Sequence, residues 1–382
     1  MKIKSVRAVP IVLTLDQPFR GGTYVVRNRN TIVCVIESSD GAIGAMYGGD
    51  EDMEQDAVCT LINGEFANTL VGRNIESPDE IRDVYRELMN MPIDLGYRAL
   101  VDLDMGRHGI QQQAVSLVDI ALWDALGRSL DLSVADLLGG AVRTEIPVIA
   151  IGGYYHENEP DDTAAEAAWL RSQGLSGMKM KVGRARFEVD EDRIRAVKAA
   201  AGENFLLAVD VNQGWTVEQS IDFCTATADL GLAWLEEPVR WYDCLTGLAE
   251  VRKLSSIPIV SGQGDISEFR SKDLVRYGAV DQLNTDCTLV GGVSGWMNVA
   301  EFAARNGVAM GHHEEPQVAT TLLSVVENIG PVEIFADQSR DPLWLEILKD
   351  PPLPSNGYIK VPQGPGLGLE LNWEIIERYT KR

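Results

Sequence analysis

The chain has 382 residues, 45% of them hydrophobic and 24% charged, with a formal net charge of −23. That length accommodates two domains, or one large domain with an attachment, and the apolar content excludes global disorder. The acidic balance argues against nucleic acid or an anionic membrane as main partner, and any anionic substrate would need a local positive site.

The opening "MKIKSVRAVP" has no long apolar core, and no stretch approaches the run of apolar residues that a membrane span requires. Cysteines fall at 34, 59, 224, 244 and 287, an odd number without CxxC spacing, which fits a reducing compartment better than a disulfide framework. A soluble cytoplasmic protein is expected. "SVRAVPIVLTL" and "TIVCVIESSDGAIGAM" are rich in β-branched residues and predict strands separated by turns. Residues 52–70 and 79–91 predict helices, the second capped by Ser77 with Pro78 at its first position. "QQQAVSLVDIALWDALGRSL" predicts a third, with Val115, Val118, Leu122 and Leu126 at helical spacing, and the glycine pair at 139–140 closes this region.

From about residue 145 short apolar runs alternate with amphipathic segments: "IPVIAIGG", "GMKMKVG", "FLLAVDV", "LAWLEEP", "IPIVSG", "AVDQLNT", "GVAMGHH" and "PVEIF". Eight such strands separated by seven helical segments predict parallel βαβ units closed into a barrel. The last 45 or so residues, with "PPLPSNG" and "GPGLGLELN", predict irregular return structure.

Barrel chemistry sits at the carboxyl ends of the strands. Here those ends carry Lys179 and Lys181, Asp210 and Asn212, Glu236 and Glu237, Gln263, Asp286, and His312 and His313, with Glu333 inside the eighth strand. Alternation places Lys179 with Lys181, and Asp210 with Asn212, on one face. A single carboxylate or lysine there is most simply a cap or a solvated group; successive strands all ending this way are not explained so. Asp210, Glu236 and Gln263 are oxygen donors on three neighbouring strands, a set that suits a hard divalent cation such as Mg²⁺. The lysines on one side and the histidine with Asp286 on the other are two candidate bases.

"DIALWDALGRSLDLSVADLLGG", "KMK", "VDVNQ", "WLEEP", "DCTLVGGVSGW" and "PGLGLEL", spread over nearly the whole chain, resemble the mandelate racemase branch of the enolase superfamily. The resemblance implies a modified TIM barrel, (β/α)₇β, at 141–336, an α+β capping domain at 1–140, and a segment 337–382 that returns to the cap. It implies Lys181 as the base on one face, tuned by Lys179, which touches the substrate carboxylate, with the Asp286–His313 dyad on the other and Glu333 as the acid that hydrogen-bonds the substrate carboxylate or the ene-diolate. That charge-bearing neighbour is expected to leave Lys181 neutral at working pH. Asp210 and Glu236 match the first two Mg²⁺ ligands. The third is usually a glutamate; "SGQGD" instead offers Gln263, with Asp265 as the alternative. The family's spacing from Asp286 favours His313 over His312, which then points away or lines the neighbouring wall.

The superfamily's proton abstraction beside a carboxylate, through an ene-diolate, is thereby implied. Glycine-containing segments near 17–30 and 46–53 predict lid loops, from which Arg20, Tyr24 and Arg27 could meet hydroxyls or a distal carboxylate. Arg20 and Tyr24, together with Asn212 and His312, form the expected substrate-binding set. The reading favours a dehydratase of an acid sugar, an aldonate or aldarate, giving a 2-keto-3-deoxy acid. Racemisation or epimerisation, lactone cycloisomerisation, and a non-catalytic sugar-acid binder are the alternatives. A homo-oligomer acting on a small carboxylate, without nucleic acid or membrane partners, completes the expectation.

Overall fold

A computed structural model describes residues 1–49, 54–91 and 105–381, with 105–107 as backbone alone. The expected eight-stranded parallel barrel is present: β4 (Glu145–Gly152), β5 (Gly177–Lys181), β6 (Leu206–Asp210), β7 (Leu235–Glu236), β8 (Ile259–Ser261), β9 (Gln282–Leu283), β10 (Ala309–His312) and β11 (Ile329–Ile334) follow one another around it, and β11 pairs with β4 to close it. These strands are short, mostly apolar and buried on both sides, as parallel strands wrapped by helices must be.

The amino-terminal strands β1 (Ile3–Arg20), β2 (Val25–Ser38) and β3 (Ile43–Gly48) form an antiparallel sheet in that order. Residues 17–30, expected as a lid loop, lie mostly in regular structure: β1 and β2 pair as far as Arg20 and Val25, leaving 21–24 as the tip. The 46–53 segment begins as the end of β3, and 50–53 lie outside the described residues. The helix expected at 52–70 is described over Gln55–Leu70, with one wider turn at Ile62–Phe66.

Two helices pack this sheet onto the barrel. In α1 (Pro78–Met89) the Ser77 hydroxyl accepts from Glu80 N at 3.4 Å, and Ile81, Val84, Tyr85 and Leu88 form its buried face. The longer α2 (Met105–Leu130) is apolar along most of its described length, and two buried aspartates give it direction. Asp124 accepts from Ala45 N of β3 at 2.9 Å and from Leu367 N of the carboxyl-terminal segment at 2.7 Å. Asp119 accepts from Ser294 N, on the barrel helix Gly292–Arg305, at 2.9 Å.

The carboxyl-terminal segment is not wholly irregular, and near its end Lys381 N donates to Pro10 O of β1 at 2.9 Å. It adds β12 (Tyr358–Lys360) antiparallel to β4, a short helix at Leu343–Ile347, and a final helix at Trp373–Tyr379. All five cysteines are buried and reduced. No described helix is long and apolar enough to cross a membrane.

Candidate active site

Register sets the first layer of the site. Lys181 on β5 pairs with Asp210 on β6, which pairs with Glu236 on β7, so all three stand at one level of the barrel. Both lysines point inward and are buried, Lys179 at 1% and Lys181 at 3% exposure. Lys179 Nζ lies 2.8 Å from Glu236 Oε1, 2.5 Å from Glu333 Oε1 and 3.9 Å from Asp210 Oδ2. Lys181 Nζ lies 2.6 Å from Asp210 Oδ2.

These contacts set the charge of the two lysines. Burial pulls the Lys181 ammonium towards neutrality, but the adjoining Asp210 carboxylate and the neighbouring tyrosines outweigh it and raise its pKa well above the ordinary value. Lys179 is likewise raised: burial opposes, and Glu236, Glu333 and Asp210 prevail. Repulsion between the two lysines is too weak against several carboxylates to leave either neutral in this arrangement.

The opposite side is built from β9 and β10. Asp286 Oδ1 caps the helix Cys287–Val290, accepting from Thr288 N and Oγ1, both at 2.8 Å, and Oδ2 faces His313 Nδ1 at 3.2 Å. Burial lowers the His313 pKa, but Asp286, Glu314 and Glu333 raise it to about 9, so the ring is an imidazolium at neutral pH.

His312 departs from the expected substrate-binding role. Successive residues of a strand face opposite ways, and its ring turns outward to stack on Trp296, 6.1 Å between centroids. Its Nδ1 meets the His313 carbonyl at 3.0 Å, and its Nε2 accepts from Cys287 N at 3.1 Å, so neither nitrogen remains for a ligand. Arg20 and Arg27 have exposed side chains. Tyr24 does reach the site: its ring centre lies 5.8 Å from Lys181 Nζ, as does that of Tyr154.

The oxygen donors have a simple geometry. Gln263 Oε1 and Asn212 Oδ1 are buried oxygens without a hydrogen-bond partner. Asn212 also donates to Asp210 Oδ2 at 3.1 Å. Asp265, the alternative third donor, accepts from Ser271 Oγ at 2.9 Å and is turned towards Arg270. Glu237 is held by Gly262 N at 2.7 Å and Gln263 N at 3.1 Å, fixing the loop that carries Gln263. Two buried carboxylates, Asp210 and Glu236, beside an unsatisfied buried amide oxygen suit a hard divalent cation, and Gln263 is the better fitted third donor.

Several residues escaped the sequence reading. Asn284 donates to Glu236 Oε1 at 3.1 Å and Glu333 Oε1 at 3.0 Å, and Trp234 Nε1 donates to Glu236 Oε2 at 2.8 Å. Both lie two residues from a named site residue and share its face, a signal the alternation carried. Five of the seven non-glycine residues with positive φ among the described residues are Asn212, Gln213, Glu237, Glu314 and Glu315, all in loops after barrel strands. Backbone strain gathered at one mouth is a mark of a functional surface.

Fold and site together define a parallel barrel whose mouth gathers buried lysines, carboxylates and a histidine. The comparisons place it more narrowly. Residues 3–139 match the mandelate racemase / muconate lactonizing enzyme N-terminal domain, and residues 162–375 match the enolase C-terminal domain-like family. The chain belongs to this mandelate racemase-like family of the enolase superfamily. It is 30% identical to D-galactarolactone cycloisomerase from Agrobacterium fabrum over 99% of both chains. It is 29% identical to arabinonate dehydratase from Saccharolobus solfataricus over 90% of this chain and 89% of that one. A crystal structure of a mandelate racemase/muconate lactonizing enzyme from a marine actinobacterium, in complex with magnesium, superposes with a TM-score of 0.87 at 33% identity, covering 100% of this chain and 99% of that one.

Proposed function

We propose that this protein is a Mg²⁺-dependent dehydratase of an acid sugar, converting it to a 2-keto-3-deoxy acid. The observation that carries this reading is the pair of opposed groups, Lys181 on one side and the Asp286–His313 dyad on the other, with His313 held as an acid. A related cycloisomerase and a related dehydratase, both acting on sugar-acid derivatives, support the substrate class.

Asp210, Glu236 and Gln263 would hold the cation, which when bound supplies positive charge for the substrate carboxylate and its developing negative charge. Two of those ligands, Asp210 and Glu236, are among the carboxylates that hold the lysines protonated, with Glu333 beside Lys179. Once Asp210 is engaged as a ligand, Lys181 is free to lose its proton, and as the neutral amine it takes the α-proton, the electron pair left behind forming the ene-diolate. Lys179 and Glu333 stand beside the carboxylate oxygens and stabilise them. His313 gives its Nε2 proton to the β-hydroxyl, the carbon–oxygen bond breaks, and water leaves. The resulting enol takes a proton at the β-carbon, gives up its hydroxyl proton and becomes the 2-keto acid.

Acid–base groups on both faces also suit epimerisation, the second reading, if His313 returns its proton to the α-carbon instead. Incubation with Mg²⁺ in D₂O against aldonic and aldaric acids, followed by NMR and mass spectrometry, separates them. A 2-keto product is expected. Deuterium uptake or inversion without loss of water would favour the epimerase, and the absence of any exchange would leave a non-catalytic binder.

A further inference from the structure

Glu314 takes no part in the steps above, yet it stands among the groups that do. It follows His313 with φ 47°, a left-handed conformation costly for a residue with a side chain. Its Oε1 lies 3.7 Å from His313 Nε2, the ring nitrogen turned away from Asp286. Its backbone N–H donates to Glu333 Oε2 at 3.2 Å. Its Oε2 accepts from Arg29 Nη2 at 2.9 Å, and Arg29, a buried residue of β2, also reaches Asp341 in the return segment at 3.0 Å.

A purely structural role explains this only in part. Tying the cap to the return segment is already done by Arg29 and Asp341, and needs no oxygen beside His313 Nε2. Burial works against ionisation of Glu314, but Arg29 and His313 overcome it and lower its pKa to about 2. A permanent carboxylate therefore faces the place where the proton is handed over.

Chain geometry of the substrate then matters. With the reacting carboxylate beside Lys179 and the departing β-hydroxyl at His313 Nε2, a substrate chain would run on past the β-position towards Glu314, whose Oε1 is 3.7 Å from that nitrogen. We infer that Glu314 is a specificity-determining residue, accepting hydrogen bonds from hydroxyls on those carbons and rejecting a second carboxylate there, so that the site takes aldonates in preference to aldarates. The inference rests on the acid-sugar reading of the site. A hydroxyl donates to a carboxylate, whereas a distal carboxylate sets two like charges within a few ångström, and such a mismatch is a strong source of discrimination. Arg29 offers little relief, since Glu314 and Asp341 already share it.

The test compares aldonates with the aldarates of matching configuration, using wild-type protein with Mg²⁺. Both kcat/KM and, independently of turnover, Kd by calorimetry are measured. The aldonate is expected to be preferred by roughly tenfold or more. Glu314→Gln should shrink that preference by admitting the diacid, without loss of folded protein on thermal unfolding. Equal or tighter wild-type binding of aldarates overturns the inference, as does an unchanged binding ratio in Glu314→Gln. If aldarates are dehydrated better than aldonates, the dehydratase reading stands and the role of Glu314 falls. If no acid is turned over, the reaction proposed here fails, while the Kd ratio still decides whether Glu314 selects.

Discussion

The imidazole of His313 lies between two carboxylates: Asp286 Oδ2 is 3.2 Å from its Nδ1, and Glu314 Oε1 is 3.7 Å from its Nε2. Asp286 is itself fixed by Thr288, so the ring has one defined orientation towards the barrel axis. Orientation and protonation are thus set by the same contact.

Activity that uses His313 as an acid should decline on the alkaline side as pH rises through about 9. The folded pKa lies above the ordinary 6.5, so the ion pair's stabilisation is fully present below that value and is lost as pH approaches about 9. In Asp286→Asn the alkaline limb should move to lower pH, with Glu314 and Glu333 keeping part of the shift. The His313 ring pKa, read by NMR, should move with it. An alkaline limb that stays in place in Asp286→Asn would assign it to another group.

Lys181 and His313 should fail differently. Lys181→Ala is expected to abolish α-proton exchange. His313→Asn is expected to retain exchange at the α-carbon while losing about 10²–10⁴-fold in water elimination, the usual contribution of a general acid. Deuterium incorporation measured beside keto-acid formation checks both. Equal loss of both signals in His313→Asn would instead give the histidine a part in the first proton transfer.

A cation held by Asp210, Glu236 and Gln263 is bound by two negative charges and one neutral amide. Gln263→Glu should tighten Mg²⁺ binding by about tenfold or more, and Gln263→Leu should weaken it by a similar factor, as ligand charge and number dictate. Calorimetric titration of protein stripped with a chelator reads this directly. The stripped protein itself should be inactive and recover on adding Mg²⁺. Affinity unchanged in both variants would remove Gln263 from the ligand set.

Asp124 is completely buried and accepts from Ala45 N, Leu367 N and Arg128. Its replacement by alanine leaves those donors without a partner, at a cost of about 3 kcal/mol. Urea unfolding should show the loss. Since the carboxylate joins β3, α2 and the carboxyl-terminal segment, limited proteolysis should also cut that segment sooner than in the wild type.

Local pattern determined much of this protein. Hydrophobic periodicity marked all eight barrel strands, because a strand buried on both faces must be a short apolar run whatever surrounds it. The same rule made the polar strand ends conspicuous, and Lys179, Lys181, Asp210, Glu236, Asp286, His313 and Glu333 do meet at one mouth. Asn284 and Trp234 lay within reach of the same alternation.

Only the tertiary structure decided the rest, because those features depend on groups distant in sequence. Which histidine faces inward follows from where β10 ends and where Trp296 packs. The protonation of the lysines follows from carboxylates on other strands. Glu314 reads as one acid in a short acidic pair; it becomes a wall of the site only when Arg29, 285 residues earlier, crosses from the cap to meet it. Periodicity is a property of neighbours along the chain, whereas a charge acquires its role from whatever the fold places within a few ångström of it.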